Sequence, residues 1–221
     1  MSNILVFAPH ADDEILGCGG TMLRHIAEGD SVYVCIVTHA EPPIYEEGTS
    51  NTVQEEARKC HEWMGVKQTL FLNFPTVMLE KVDRYKLNEA VLNVVLDIKP
   101  ETVYIPHYGD MQRDHQVVAD ACMVALRPKY SHKVKYVYGY ETLSETGWNA
   151  PVIQNEFMPN VFVDITNFLE NKKKAMSYYK SQLTEYPGTR SIKAIEALAI
   201  YRGTAMYFGA AEAFMLLREI K

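Results

Sequence analysis

Short, strongly apolar runs and longer amphipathic stretches take turns along the chain as far as Arg127. Ile4 to Phe7 is followed by Gly17 to Ala27, Ser31 to Val37 by Val53 to Met64, and Thr69 to Leu72 by Val82 to Ile98. Runs this short and β-rich read as strands, and the stretches between them carry apolar residues at helical spacing. A fourth buried strand, Thr102 to Ile105, leads to a helix over Gln116 to Leu126 that Pro128 stops. Gly29, Gly65 and Pro100 punctuate the joins. The pattern is that of repeated βαβ units, which predicts a parallel sheet covered by helices.

Beyond Arg127 the regularity falls. Val134 to Tyr140 and Val161 to Val163 read as further strands, separated by a turn-rich aromatic segment around Trp148 and Pro151 suited to a lid or substrate loop. Helices over Asn167 to Leu183 and Ile192 to Tyr201 then precede a small-residue and apolar run, Ala210 to Leu217. With 221 residues, 48% of them hydrophobic, the chain suits one well-packed domain better than two. The expected architecture is a single-domain, Rossmann-like, three-layer α/β fold over residues 1–221, built on a mostly parallel central sheet.

Charge narrows the partners. The net charge is −6, from 28 acidic and 22 basic residues, and no basic run exceeds Lys172-Lys173-Lys174, so a nucleic-acid partner is not expected. No apolar run approaches a membrane span and the N-terminus has no secretory pattern, which predicts a soluble, cytoplasmic protein. Cys18, Cys35, Cys60 and Cys122 form no Cys-x-x-Cys pair and read as reduced, mostly buried thiols.

The chemistry concentrates at the ends of two predicted strands, where open α/β sheets bind their ligands. Directly after the first strand comes Ala8-Pro9-His10-Ala11-Asp12-Asp13-Glu14. His10 and Asp13 are spaced to reach one cation from a tight loop, and the adjacent Asp12 is free to handle the proton of a water. Either aspartate could instead cap the following helix, but a cap requires neither His10 nor the glycine-dense Gly17-Cys18-Gly19-Gly20-Thr21, which is expected to let backbone approach closely at the mouth of a site. That segment lacks the third glycine of a dinucleotide-binding turn.

After the fourth strand runs Pro106-His107-Tyr108-Gly109-Asp110-Met111-Gln112-Arg113-Asp114-His115. His115 completes a two-His, one-carboxylate set with His10 and Asp13, leaving positions open for water and substrate. The set suits zinc and equally iron(II). Asp114 either orients a ring or caps the helix. His107 and Tyr108 are substrate-side candidates, as are Tyr140 and Trp148 for stacking on a sugar ring. His25, His61 and His132 read as surface or loop residues, and His39 closes the second strand.

These segments resemble the LmbE/PIG-L-like N-deacetylases, whose signature is a His-Pro-Asp-Asp-Glu loop after the first strand and a downstream Asp-His pair. Pro9-His10-Ala11-Asp12-Asp13-Glu14 and Asp114-His115 carry the resemblance, with weaker matches at Tyr179 to Gln182, Arg190-Ser191, Arg202-Gly203 and Ala211 to Phe214. The resemblance implies a zinc-dependent hydrolase that removes an acetyl group from an N-acetylglucosamine-type sugar, with His10, Asp13 and His115 on the metal and Asp12 as general base. A soluble N-acetylated sugar, nucleotide sugar or glycoconjugate precursor is the implied partner, and a homo-oligomer is compatible with it. Arg190 joins the substrate-binding candidates.

Two positions depart from the pattern. Ala11 replaces a proline, which loosens the loop and leaves the chemistry intact. Gln112 stands where many members have a histidine acting as acid or oxyanion stabiliser, and an amide can donate a hydrogen bond but not a proton. Two further readings of the same residues are a hydrolase of another amide or a carbamoyl bond, and a non-catalytic carbohydrate-binding protein with a vestigial site.

Overall fold

The computed structural model describes residues 1–130 and 132–221. Strands β1 (Asn3–Ala8), β2 (Ser31–His39), β3 (Gln68–Pro75), β4 (Thr102–Pro106), β5 (Tyr136–Tyr140), β6 (Val161–Asp164) and β7 (Ala211–Glu219) form one sheet in the order β3-β2-β1-β4-β5-β7-β6. The first five named in chain order pair in parallel, while β7 runs antiparallel to both β5 and β6. Helices are α1 (Asp13–Ala27), α2 (Thr49–Met64), α3 (Arg84–Ile98), α4 (Arg113–Ala125), α5 (Leu169–Met176) and α6 (Ile192–Thr204).

The two faces of the sheet can be read off β1. Ile4, Val6 and Ala8 pack with apolar residues of α1, α2, α5 and α6, while Leu5 and Phe7 point the other way into the layer of α3 and α4. The strand is buried on both sides, which is why it reads as a continuous apolar run rather than an alternating one. This is the three-layer, mostly parallel arrangement expected. The strand order reverses between β1 and β4, so the loops leaving their carboxyl ends open into the crevice where such sheets take ligands.

Two details differ from expectation, and a third concerns a run that the sequence pattern left unassigned. First, α1 begins at Asp13 and carries Gly17, Gly19 and Gly20 in its interior, buried. A Cβ on Gly17 would overlap the Tyr140 ring and one on Gly20 would meet Ile165 at 2.7 Å, so these glycines serve close packing of α1 rather than the mouth of a site. Second, the helix predicted to Leu183 stops at Met176, and the chain turns so that Tyr179 is buried with its hydroxyl on Glu14. Third, the run Ala210 to Leu217 is an interior strand, with β5 on one side and β6 on the other. No helix among the described residues is long and apolar enough to cross a membrane. All four cysteines are buried and free.

Candidate active site

His10 leaves the end of β1, and Asp13 opens α1. Asp13 Oδ2 accepts from the His10 backbone amide at 2.9 Å and lies 3.2 Å from His10 Nδ1. His115, in the first turn of α4, brings Nε2 to 3.1 Å from the same oxygen. Ligand atoms of the three residues lie within 4.8 Å of one another. Asp13 Oδ1 and His115 Nε2 are buried without a hydrogen-bond partner, an arrangement that costs free energy unless something else completes it.

Each imidazole is gripped at its far nitrogen by an outer carboxylate. His10 Nε2 is 3.1 Å from Asp114 Oδ2, and Asp114 is itself fixed by the amides of Val77 (2.6 Å) and Leu79 (3.2 Å) in the loop after β3. His115 Nδ1 is 2.9 Å from Asp110 Oδ2, whose other oxygen accepts from Thr146 Oγ1 at 2.6 Å. Carboxylate-oriented imidazoles turned toward a shared carboxylate are the usual surroundings of a metal ion. Of the two roles open to Asp114, the structure shows the orienting one. The α4 cap is Gln112, whose side-chain carbonyl accepts from the Asp114 amide.

The electrostatics press positive charge onto this point. Asp13 is buried, which would raise its pKa, but the charge of His115 and the closeness of both imidazoles to its Oδ2 hold it well below the usual carboxylate range. Burial would lower the pKa of His10, yet Asp114 and Asp13 raise it to about 9. Burial likewise opposes protonation of His115, while Asp13 and Asp110 carry it up to about 10. Protons or a metal cation can answer that demand, and a cation would displace the protons from the ligand nitrogens.

Asp12 occupies the N-cap position of α1, but its side chain makes no capping hydrogen bond. Its Oδ2 accepts from Arg190 Nε at 2.8 Å, and Arg190 Nη2 reaches to 3.6 Å from Glu145. Burial and the neighbouring Asp13 push the Asp12 carboxyl up to about 7, against the pull of Arg190. Gln112 lies beside the cluster, its Nε2 3.3 Å from His10 Nε2. His10, Asp12, Gln112, Glu145 and Arg190 share a cleft of about 300 Å³. Its outer part is walled by Tyr45, Thr49, Ser50, Gln54 and Gln182.

The structure therefore assembles His10, Asp12, Asp13, Gln112, Asp114, His115 and Arg190 in one place. It does not bring the other two substrate-side candidates there. His107 is buried with Nε2 3.0 Å from the Asn155 carbonyl, and Tyr108 packs on the His107 ring outside the cleft lining with its side chain turned partly to solvent. Tyr140 is core, its hydroxyl on the Phe7 carbonyl, and Trp148 is 63% exposed away from the lining. His61, expected at the surface, is buried between Glu14 (3.2 Å) and Thr69 (2.8 Å). His39 stands in the cleft wall.

Sequence reasoning also passed over Asp110 and Glu145. Asp110 carried a usable signal, a carboxylate in the loop after β4 five residues before a ligand candidate. Glu145 had none, since it reaches the cleft from a turn in the irregular segment after β5.

A parallel α/β sheet with a two-His, one-Asp cluster at its switch point defines a class of candidate metal-site proteins. Within it, the chain belongs to the PIG-L family, GlcNAc-PI de-N-acetylase, which matches residues 5–126. It is 29% identical to the uncharacterized deacetylase YaiS of Escherichia coli K12, over 80% of this chain and 90% of that protein. It is 23% identical to the diacetylchitobiose deacetylase of Thermococcus kodakarensis, over 92% of this chain and 78% of that one. Among solved structures, the conserved protein TT1542 of Thermus thermophilus aligns with TM-score 0.82 at 25% identity, covering 100% of this chain and 97% of its own. The 4-carboxy-2-hydroxymuconate hydratase GalB of Pseudomonas putida KT2440 aligns with TM-score 0.79 at 19% identity, over 100% and 98%, which is a likeness of fold.

Proposed function

We propose that the protein is a metal-dependent N-deacetylase acting on an N-acetylglucosamine-type sugar. The observation that carries the reading is the convergence of His10 and His115, each steered by an outer carboxylate, on Asp13, beside a cleft lined by His10 and Asp12. His10, Asp13 and His115 would hold the ion, and the unpartnered Asp13 Oδ1 and His115 Nε2 fit that role. Their donor chemistry suits zinc or iron(II). When bound, such a cation lowers the pKa of a water and polarises the amide carbonyl.

The chain's own residues divide the rest. Asp12 takes the proton of the attacking water and returns it to the nitrogen as the C–N bond breaks, leaving acetate and a free amine. Arg190 keeps the Asp12 carboxylate turned into the cleft. Gln112 uses its carbonyl on the Asp114 amide and faces His10 Nε2 with a donor toward a group already paired with Asp114. Its amide hydrogens are thereby left for the oxyanion that forms at the carbonyl.

The cleft favours a neutral sugar over a nucleotide sugar. Its arginine is engaged by Asp12 and Glu145, His39 lies 3.1 Å from Glu41, and no lysine is among its lining residues, so a diphosphate would find no unpaired cation. Hydroxyls and amides on Tyr45, Thr49, Ser50, Gln54 and Gln182 match a polyol instead. The test is amine release from neutral N-acetylated mono- and disaccharides and from nucleotide sugars, each with and without a chelator. Release from the neutral sugars that stops on chelation is the expected result. A blank across the panel with metal bound would transfer the site to another amide or a carbamoyl bond.

A further inference from the structure

Glu14 is fully buried, and the reaction described above makes no use of it. Its Oε2 accepts from the backbone amide of Asp12 at 3.2 Å. Its Oε1 accepts from the Tyr179 hydroxyl and lies 3.2 Å from His61 Nε2, while His61 Nδ1 is 2.8 Å from Thr69 Oγ1. Tyr179 and His61 are buried too. A carboxylate of the signature motif is thus clamped by His61 of α2, itself held by Thr69 of β3, and by Tyr179 from the turn after α5.

What that clamp touches is an unusual piece of backbone. Asp12 has φ 124° and ψ −26°, a conformation residues with a Cβ rarely adopt unless their surroundings enforce it. The conformation has a chemical use. Asp12 and Asp13 are neighbours, yet one faces Arg190 and the other faces the two imidazoles. Without the twist at Asp12 the two carboxylates would not divide in this way between proton handling and metal binding.

We propose that Glu14, clamped by Tyr179 and His61, is a positioning residue that holds the Asp12 backbone at positive φ and so aims the Asp12 carboxylate into the cleft. The inference rests on the role given to Asp12 above. It differs from a merely structural role in what each substitution moves. Glu14→Gln keeps an acceptor for the Asp12 amide, whereas Glu14→Ala removes it. Tyr179→Phe loosens the clamp from outside without touching residues 10 to 14.

Two measurements test it, and the first needs no substrate. Asp12→Gly and Asp12→Ala are compared by thermal unfolding in the Glu14→Gln and Glu14→Ala backgrounds, which carry the same charge. Where the positive φ is held, glycine melts higher than alanine by about 3 °C or more, and where Glu14→Ala frees the backbone the gap closes. An equal gap in both backgrounds overturns the proposal. If Glu14→Ala does not fold, the same comparison in the native and Tyr179→Phe backgrounds decides.

The second measurement uses whichever acetylated sugar releases amine, at native Asp12. Glu14→Ala and Tyr179→Phe are expected to lower kcat about tenfold or more with KM and bound metal unchanged, and Glu14→Gln to restore most of the loss. Native kcat per folded molecule in both Glu14→Ala and Tyr179→Phe overturns the positioning role. Closure of the glycine gap with no amine released from any sugar upholds the clamp on Asp12 and refutes the sugar deacetylase reading, so the two can fail separately.

Discussion

Helix α1 meets buried charge in two places, and the two are built on opposite principles. Midway along it, Lys172 and Glu212 form an ion pair with each side chain only 4% exposed. Lys172 Nζ donates to the Leu16 carbonyl at 2.8 Å and to Glu212 at 2.6 Å, and Glu212 accepts from the Gly20 and Thr21 amides at 2.9 and 2.7 Å. Every charged atom there has an answer within the chain. At the N-terminal end, Asp13 Oδ1 and His115 Nε2 are equally buried and lack a hydrogen-bond partner, Nε2 meeting only the Asp13 Oδ2 that His10 already shares. A structural pair closes on itself, whereas a site meant for a ligand leaves valence open at a point several side chains share.

The largest expected effect breaks the open cluster. His115→Ala removes one of the three proposed ligands, and metal and turnover should be lost together, because two ligands hold the ion too weakly. Elemental analysis beside an activity assay checks it. A variant that keeps a full equivalent of metal takes the ligand role away from His115. Next comes Asp12→Asn, which preserves size and removes the proton acceptor. Full metal with turnover reduced about 10²–10⁴-fold is the expectation, and near-native turnover in a metal-loaded sample would sink the assignment of Asp12 as base.

The closed pair should respond in the opposite sense. Lys172→Met leaves Glu212 buried without its cation and the Leu16 carbonyl without its donor, so unfolding free energy should fall by about 3–5 kcal/mol. Metal content and kcat of the folded fraction should stay native, as read by denaturant titration beside elemental analysis. Metal loss from folded protein would show that the two clusters are coupled through α1 and that the contrast is false.

The same contrast explains what was legible in the chain. Strands β1 to β4 carry periodicity strong enough to be read locally, and His10, Asp13 and His115 follow β1 and β4 in a spacing that suggests a shared ligand. The closed pair was invisible because Lys172 and Glu212 come from distant segments and meet only after β7 enters the sheet beside β5. Lys172 even reads as part of a solvated basic run. The glycines of α1 are misread for the same reason, since the partners that demand them, Tyr140 and Ile165, lie far along the chain. His107 and Tyr108 mislead in the other direction. A position at a strand end suggests a side chain facing the cleft, but the chain turns at Gly109 and places His107 against Asn155.

Gln112 offers the finest test, because it belongs partly to each kind of cluster. Its carbonyl is closed on the Asp114 amide as the α4 cap, and its amide nitrogen, 3.3 Å from His10 Nε2, belongs to a side chain that lines the cleft. Gln112→Ala should therefore carry two separable effects: lost capping, worth about 1 kcal/mol of stability, and a lost oxyanion donor, worth at most about 10²-fold in kcat. Metal content should not change, since none of the three ligands is touched. Gln112→Glu separates the halves, for a carboxylate can still accept from the Asp114 amide but cannot donate to an oxyanion. Restored stability with kcat still low would place the open half of Gln112 on the substrate carbonyl. Native kcat in Gln112→Ala would leave Gln112 as a cap alone and assign oxyanion stabilisation to other groups.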